Sequence, residues 1–255
     1  MTDRPIIGIV HVHSDYSHDG RDSLERLQAF AAERGISFVG LTDHAEDFDS
    51  SRFERYRDHC RRASTQDVRL IPGLEFRFEG FRGLHLLVLG LEAWIAPRSP
   101  DEFVAMAPTV SGFSMMAHPR LAGYQIPKAI AAAVSGIEVW NAAYDTRYLP
   151  DPQAIQLLKR LQEQHPRLVG VAGLDQHDAR NDRKTRVVLR RAGSDPLVEL
   201  RAGRFDNVGH TMTFSGRGDW SHSRLAGLAA LRAIFDVVER AQDRVAQLFA
   251  ARRDS

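Results

Sequence analysis

Ile6-Ile7-Gly8-Ile9-Val10-His11-Val12-His13 is an apolar, β-branched run that ends on two imidazoles. It has the composition of a buried strand. Side chains two apart on a strand share a face, so His11 and His13 point the same way from its carboxyl end. Working outward, short apolar runs recur at 36–41, 68–76, 84–89, 113–117, 137–140 and 168–172. Between them lie amphipathic stretches that predict helices: one capped by Ser23 and stopped by Gly35, one opened by Ser50 or Ser51, a short one after Pro100, one over 127–134 and one from Pro152 to about residue 164. Strand and helix in alternation imply βαβ units and a mainly parallel sheet. About seven strands are expected, and no glycine-rich phosphate fingerprint follows the first. An α/β, TIM-like (β/α) barrel is therefore favoured over an open dinucleotide-binding sheet.

The last third reads differently. Residues 179–186 form a charged loop, 196–214 two short strands, and 221–252 a long amphipathic helix that packs on the barrel or makes a dimer contact. With no repeat or linker, residues 1–255 are read as one domain: a core over 7–178 and a C-terminal extension over 179–255.

Composition narrows the classes. Of 255 residues, 43% are hydrophobic and 26% charged, which is globular rather than disordered. No apolar run approaches the roughly 20 residues of a membrane helix, and residues 6–10 are too short for a signal-peptide core. The lone Cys60 excludes an internal disulfide framework and suits a reducing cytoplasm. A net charge of +1 leaves no footprint for duplex nucleic acid or an anionic membrane. Nothing in the sequence sets the oligomeric state.

The chain has 11 histidines, and six of them fall in or at the ends of expected strands. After His11 and His13 comes Asp19-Gly20 on a turn. The second strand ends Thr42-Asp43-His44, the third Pro72-Gly73-Leu74-Glu75, the next contains His85, another ends Ala117-His118-Pro119, and the last Asp175-Gln176-His177. Each alone is a hydrogen-bonded core histidine or a capping aspartate. Together in a barrel they converge on one cavity, where so many polar groups need something to coordinate. Imidazole and carboxylate without thiolate suit Zn²⁺, Mn²⁺ or Fe²⁺. Nine ligands suffice for about two to three divalent ions with a shared carboxylate. His59, His165, His210 and His222 read as surface, and His18 competes with Asp19 as the loop ligand.

This ordered set resembles the PHP (polymerase and histidinol phosphatase) family from residue 7 to about 178. The resemblance implies a distorted seven-stranded (β/α) barrel with a trinuclear metal centre. It implies that His11, His13, Glu75 and Asp175 hold one ion, that Glu75 bridges to a second held by His85 and His118, and that Asp19, His44 and His177 hold the third. Asp43 is implied as an orienting residue of the catalytic site. Histidinol phosphatases usually carry His where this chain has Asp19. Only 32 residues separate His85 from His118, too few for an inserted cap domain, and there is no polymerase module.

The function so implied is hydrolysis of a phosphate ester, a monoester first, by a metal-activated hydroxide. The substrate would be a small phosphorylated metabolite or nucleotide. Amide or ester hydrolysis, and a regulatory module that binds metal without catalysis, are the alternatives. Arg120, directly after His118-Pro119, is a candidate phosphate clamp and catalytic residue. Asn141, Tyr144 and Arg147 are candidate leaving-group contacts. Arg180 and Arg183, in the loop after the last ligand pair, are candidate anion contacts.

Overall fold

The computed structural model describes residues 5–146, 148–191, 193–218 and 220–251, with side chains as far as Val238. Two compact units divide the chain, Met1–Gly218 and Asp219–Ser255. The first is a mixed α/β fold. β1 (Ile6–Val12) is followed by α1 (Leu24–Glu33), whose buried face is Leu24, Leu27, Phe30 and Ala31. Ser23 caps it by accepting from Arg26 N, and Gly35 leaves it in the left-handed region at φ +65°. β2 (Phe38–Leu41) and β3 (Asp43–His44) then run on, separated only by Thr42. α2 (Ser50–Ala63) is capped by Asp49, whose carboxylate accepts from Arg52 N. The helix opens at Ser50, as expected, with the cap one position earlier.

β4 (Arg69–Ile71) and β5 (Gly73–Arg77) are divided by Pro72. Gly73 is required there, since a Cβ would lie 2.3 Å from Val88 O and 2.5 Å from Leu41 O. β6 (His85–Leu89), α3 (Pro100–Met106), β7 (Phe113–Met116), α4 (Lys128–Ala133), β8 (Gly136–Asn141), α5 (Pro152–Gln162) and β9 (Val169–Gly173) complete the part that carries the site. β10 (Arg186–Leu189), α6 (Pro196–Ala202), β11 (Phe205–Val208) and β12 (Thr213–Ser215) follow.

The described strands number twelve, in two six-stranded sheets, rather than about seven followed by two short ones. One sheet has the order β12-β11-β10-β1-β2-β4 and the other β3-β5-β6-β7-β8-β9. Two causes account for the difference. Thr42 and Pro72 each split one chain segment so that its first half pairs in one sheet and its second half in the other. And β10, β11 and β12 add an antiparallel ribbon to the edge of β1, where only a charged loop and two strands were expected. Residues 179–181 form a 3-10 turn instead of plain loop. The two short strands expected within 196–214 are β11 and β12, and helix α6 precedes them: Asp195 accepts from Leu197 N and Val198 N, Pro196 sits at its first turn, and Gly203 closes it at φ +65°.

β6 also runs antiparallel to both β5 and β7. His85 is therefore at its start, which reaches the same end as the finishes of its neighbours. A parallel bridge between Val12 and Gln176 ties the end of β1 to the segment beyond β9. Beneath lies one core to which both sheets contribute, with Val10, Phe38, Ile71, Leu87, Phe113, Val171 and Phe205 at 0–1% exposure. Each such side chain contributes about 1.5–3 kcal/mol by leaving water.

The second unit contains α7 (His222–Ala251). Ser221 Oγ accepts from Arg224 N at its start, and Arg232 pairs with Asp236 one turn on at 2.9 Å. Among the described residues no helix is long and apolar enough to cross a membrane.

Candidate metal centre

All nine expected ligands meet at one end of the sheets. β1 delivers the first two through a distortion: pairing with β2 shifts register between Val10 and Val12, leaving His11 as the extra residue at φ +62°. His118 and Asp175 also take positive φ, at 24° and 49°. Such backbone costs on the order of 1–3 kcal/mol per residue and persists where the surroundings enforce it, typically at functional sites.

Glu75, 1% exposed, is the hub. Its Oε2 lies 3.6 Å from His11 Nε2, 3.3 Å from His13 Nε2 and 3.4 Å from His44 Nδ1. Its Oε1 lies 2.6 Å from His85 Nδ1 and 3.5 Å from His118 Nε2. The two oxygens of one carboxylate thus face two different sets of imidazoles. Asp175 Oδ1 sits 3.4 Å from His11 Nε2 and 3.5 Å from His13 Nε2. Asp19 Oδ2 sits 3.1 Å from His44 Nε2 and 3.2 Å from His177 Nε2.

Three groupings bring their ligand atoms close enough to share an ion: His13 with Asp19, His44 and His177; His11 with Glu75 and His118; and His11 and His13 with Asp175. They differ from the implied sets in detail. His13 also faces the Asp19 group, and His85 meets the centre through its hydrogen bond to Glu75 rather than as a member of a grouping.

The chemistry of the donors fits divalent cations. His11 Nε2, His13 Nε2, His44 Nδ1 and His118 Nδ1 are buried without a hydrogen-bond partner. Orphaned buried polar atoms are costly unless something accepts their lone pairs. Burial, with His13 beside them, pushes His44 and His177 below the usual imidazole range, which keeps those lone pairs available. Burial opposes the charge of Glu75, but the His11 and His118 imidazoles beside it and the hydrogen bond from His85 outweigh it and hold Glu75 well below the usual carboxylate range. Asp175 is held low in the same way by His11 and His13. His11 goes the other way: burial is outweighed by Asp175 and Glu138, and its pKa is raised well above the usual.

Glu138 is a residue that sequence reasoning missed. It lies in mid-strand on β8, 1% exposed, and accepts from His11 Nδ1 at 2.9 Å, His118 N at 2.7 Å and Asn141 Nδ2 at 2.8 Å. A carboxylate inside the run Ile137-Glu138-Val139-Trp140 was the available signal, because buried acids are rare unless paired. Arg77, at the end of β5, was also missed; its Nη2 lies 3.0 Å from His44 Nε2.

The other expected residues are placed unevenly. Asp43 lies beneath the site, fully buried, where it accepts from Ser14 N, Ser14 Oγ and Ser17 Oγ at 2.7–2.9 Å; Ser17 Oγ in turn accepts from His44 N. Arg120 stands beside His118 and donates to Tyr144 O. The exposed Tyr144 ring packs edge-on against His118. Asn141 is buried, and its amide is taken up by Glu138, Asp175, Ala143 N and Tyr144 N. Arg147 lies outside the described residues. Arg180 is folded onto Asp178 of its own loop at 2.6 Å. Arg183 donates to Ala142 O and lines a cavity of about 450 Å³ with Asp19, Arg21, Asp175, His177 and Asn181.

The family model of the PHP domain matches residues 10–251. Among solved structures, the fold is similar to a two-domain protein containing a predicted PHP-like metal-dependent phosphoesterase from Bacteroides vulgatus ATCC 8482. The TM-score is 0.61 at 19% identity, over 81% of this chain and 65% of that one. It is also similar to PsfC from Pseudomonas syringae PB-5123, with TM-score 0.55 and 15% identity, over 91% of this chain and 98% of that one. The chain thus spans about two thirds of the length of the Bacteroides protein. No curated protein matches the sequence. With the PHP model covering all but the two ends of the sequence, the chain belongs to the PHP domain family.

Proposed function

We propose that this protein is a metal-dependent phosphoesterase, a phosphomonoesterase acting on a small phosphorylated metabolite or nucleotide. The observation that carries this reading is Glu75: one buried carboxylate with each oxygen facing a separate set of imidazoles. That is the arrangement a carboxylate shared between cations needs. His11, His13, Asp19, His44, Glu75, His85, His118, Asp175 and His177 would hold about two to three ions of zinc, manganese or iron. When bound, such ions polarise a phosphoryl oxygen and make water acidic enough to serve as nucleophile at neutral pH.

The chain's own residues would do the rest. Asp43 fixes the loop through Ser14 and Ser17 and so positions His13, Asp19 and His44. Arg120, Tyr144 and Arg183 stand around the opening with donors for an anionic substrate. The three-ion count is part of the proposal, as is a closed, distorted seven-stranded barrel; continuity through Thr42 and Pro72 and the Val12–Gln176 bridge support the latter. Residues 7–178 supply every proposed ligand, so catalysis is assigned there. A cytoplasmic setting is proposed from the single, buried Cys60.

The test is release of inorganic phosphate from a panel of phosphate monoesters, with diesters and amides as controls, by manganese-loaded and chelated protein. Metal-dependent turnover of monoesters is expected. Turnover of amides alone would overturn the reading.

A further inference from the structure

His44 Nε2 lies 3.1 Å from Asp19 Oδ2 and 3.0 Å from Arg77 Nη2. One ring nitrogen cannot donate to the carboxylate and accept from the guanidinium in the same tautomer. Once His44 ligates a cation, its single lone pair belongs to the ion. If the ion takes Nε2, that lone pair is gone; if it takes Nδ1, Nε2 carries the proton and donates. In both cases Arg77 loses its acceptor. Its other partner is Glu46 Oε1 at 3.6 Å, in a pair whose side chains are 42% and 46% exposed, and such contacts hold a guanidinium weakly. Loading of the centre therefore leaves a planar, permanently charged fork at the rim of the Asp19–His44 group, and that fork matches two oxygens of a phosphoryl group.

Arg77 also lines a second cavity, of about 240 Å³, with Glu46, Phe76, Trp94, Pro97 and Arg98. The groove combines the Phe76 ring, an indole and a second guanidinium.

Building on the phosphoesterase reading, we propose that Arg77 binds the phosphoryl group of the substrate and that the groove it shares with Trp94 and Arg98 takes the rest of the ester. Two guanidinium groups against one carboxylate favour a leaving group that itself carries a negative charge, and the indole offers a face to a planar one.

The test uses the full chain loaded with manganese. Calorimetric titration with inorganic phosphate should show binding that weakens roughly tenfold or more in Arg77→Ala and less in Arg77→Lys, with ion content by elemental analysis unchanged. In a second arm, the KM for para-carboxyphenyl phosphate should lie below that for phenyl phosphate. Arg98→Ala should erase the difference, raising the KM for para-carboxyphenyl phosphate more than that for phenyl phosphate. Wild-type phosphate affinity in Arg77→Ala, or loss of ions from it, overturns the Arg77 assignment while leaving the phosphoesterase reading standing. Equal KM values for the two esters in the wild-type protein overturn the groove assignment. Metal-loaded wild-type protein that binds no phosphate overturns the phosphoesterase reading, and this inference with it.

Discussion

Glu138 Oε1 lies 2.9 Å from His11 Nδ1, and both side chains are wholly buried. The bond keeps a proton on His11 Nδ1 and leaves Nε2, on the side of Glu75 and Asp175, as the nitrogen that would face a cation. The other Glu138 oxygen holds the backbone of His118 and the amide of Asn141. One carboxylate thus orients ligands from two strands.

Glu138→Gln keeps the shape but removes the charge and one acceptor. Ion affinity is expected to fall about 10–100-fold, the usual cost of losing a partner behind a ligand. Metal titration followed by elemental analysis checks this. Unchanged affinity would mean that His11 needs no such partner.

Ser17 links Asp43 to the His44 backbone and is buried. Ser17→Ala leaves His44 N without its acceptor, a loss of about 1–3 kcal/mol. Urea denaturation should show that loss with an unchanged slope, and ion affinity at the Asp19 group should drop with it. A stable variant with normal affinity would show that the loop holds its shape without this link.

Chelation should lower the Tm. Ions that bind only the native chain stabilise it by about 2.7 kcal/mol at a hundredfold excess over Kd, or roughly 5–10 °C for a chain of this size. Calorimetric scans with and without chelator measure the shift. Superimposable scans would mean that the cluster holds no ion in solution.

Acid should act on the ion-free protein through its carboxylates. Glu75, Asp175 and Asp19 are held below their ordinary range in the folded state by the surrounding histidines. A depressed carboxylate contributes stability above its unfolded pKa and loses it as pH falls, so stability should decline below about pH 4. Between pH 5 and 8 the effects oppose one another: His44 and His177 are lowered and resist protonation, while His11 is raised and gains from it. Asp175→Asn should flatten the acid limb of a Tm–pH profile in chelator. An equally steep limb would mean that Asp175 titrates normally.

The loop after His177 separates two arginines that looked equivalent in sequence. Arg183 lines the cavity beside Asp19 and His177, whereas Arg180 is committed to Asp178. Arg183→Ala should raise KM for an anionic substrate by about fivefold at low salt and less at high salt, with ion content unchanged. Arg180→Ala should leave KM alone. Equal effects would show that the loop rearranges around substrate.

The convergence of the candidate ligands was legible because all but Asp19 interrupt or end an apolar strand, where a histidine or carboxylate is conspicuous. His85 stood out in the same way but not in its direction, since residue types do not distinguish an antiparallel strand from a parallel one. Glu138 was hidden by its place inside β8, and Arg77 by looking like an ordinary exposed strand end. Short β10 was obscured by the charged residues around it, and α6 went unread although Asp195, Pro196 and Gly203 together mark it. Asn141 stood out only as a polar residue after Trp140; that its amide satisfies the buried carboxylates of Glu138 and Asp175 is something no sequence pattern locates.

The account rests on Glu75 serving two cations at once, and elemental analysis of the purified wild-type chain beside Glu75→Gln tests that most directly. The substitution keeps the side chain's shape and removes the charge that offsets two ions. The wild-type chain is predicted to carry about two to three divalent ions, and Glu75→Gln to lose at least one, with phosphate release falling by several orders of magnitude. Full ion occupancy in Glu75→Gln would contradict the account.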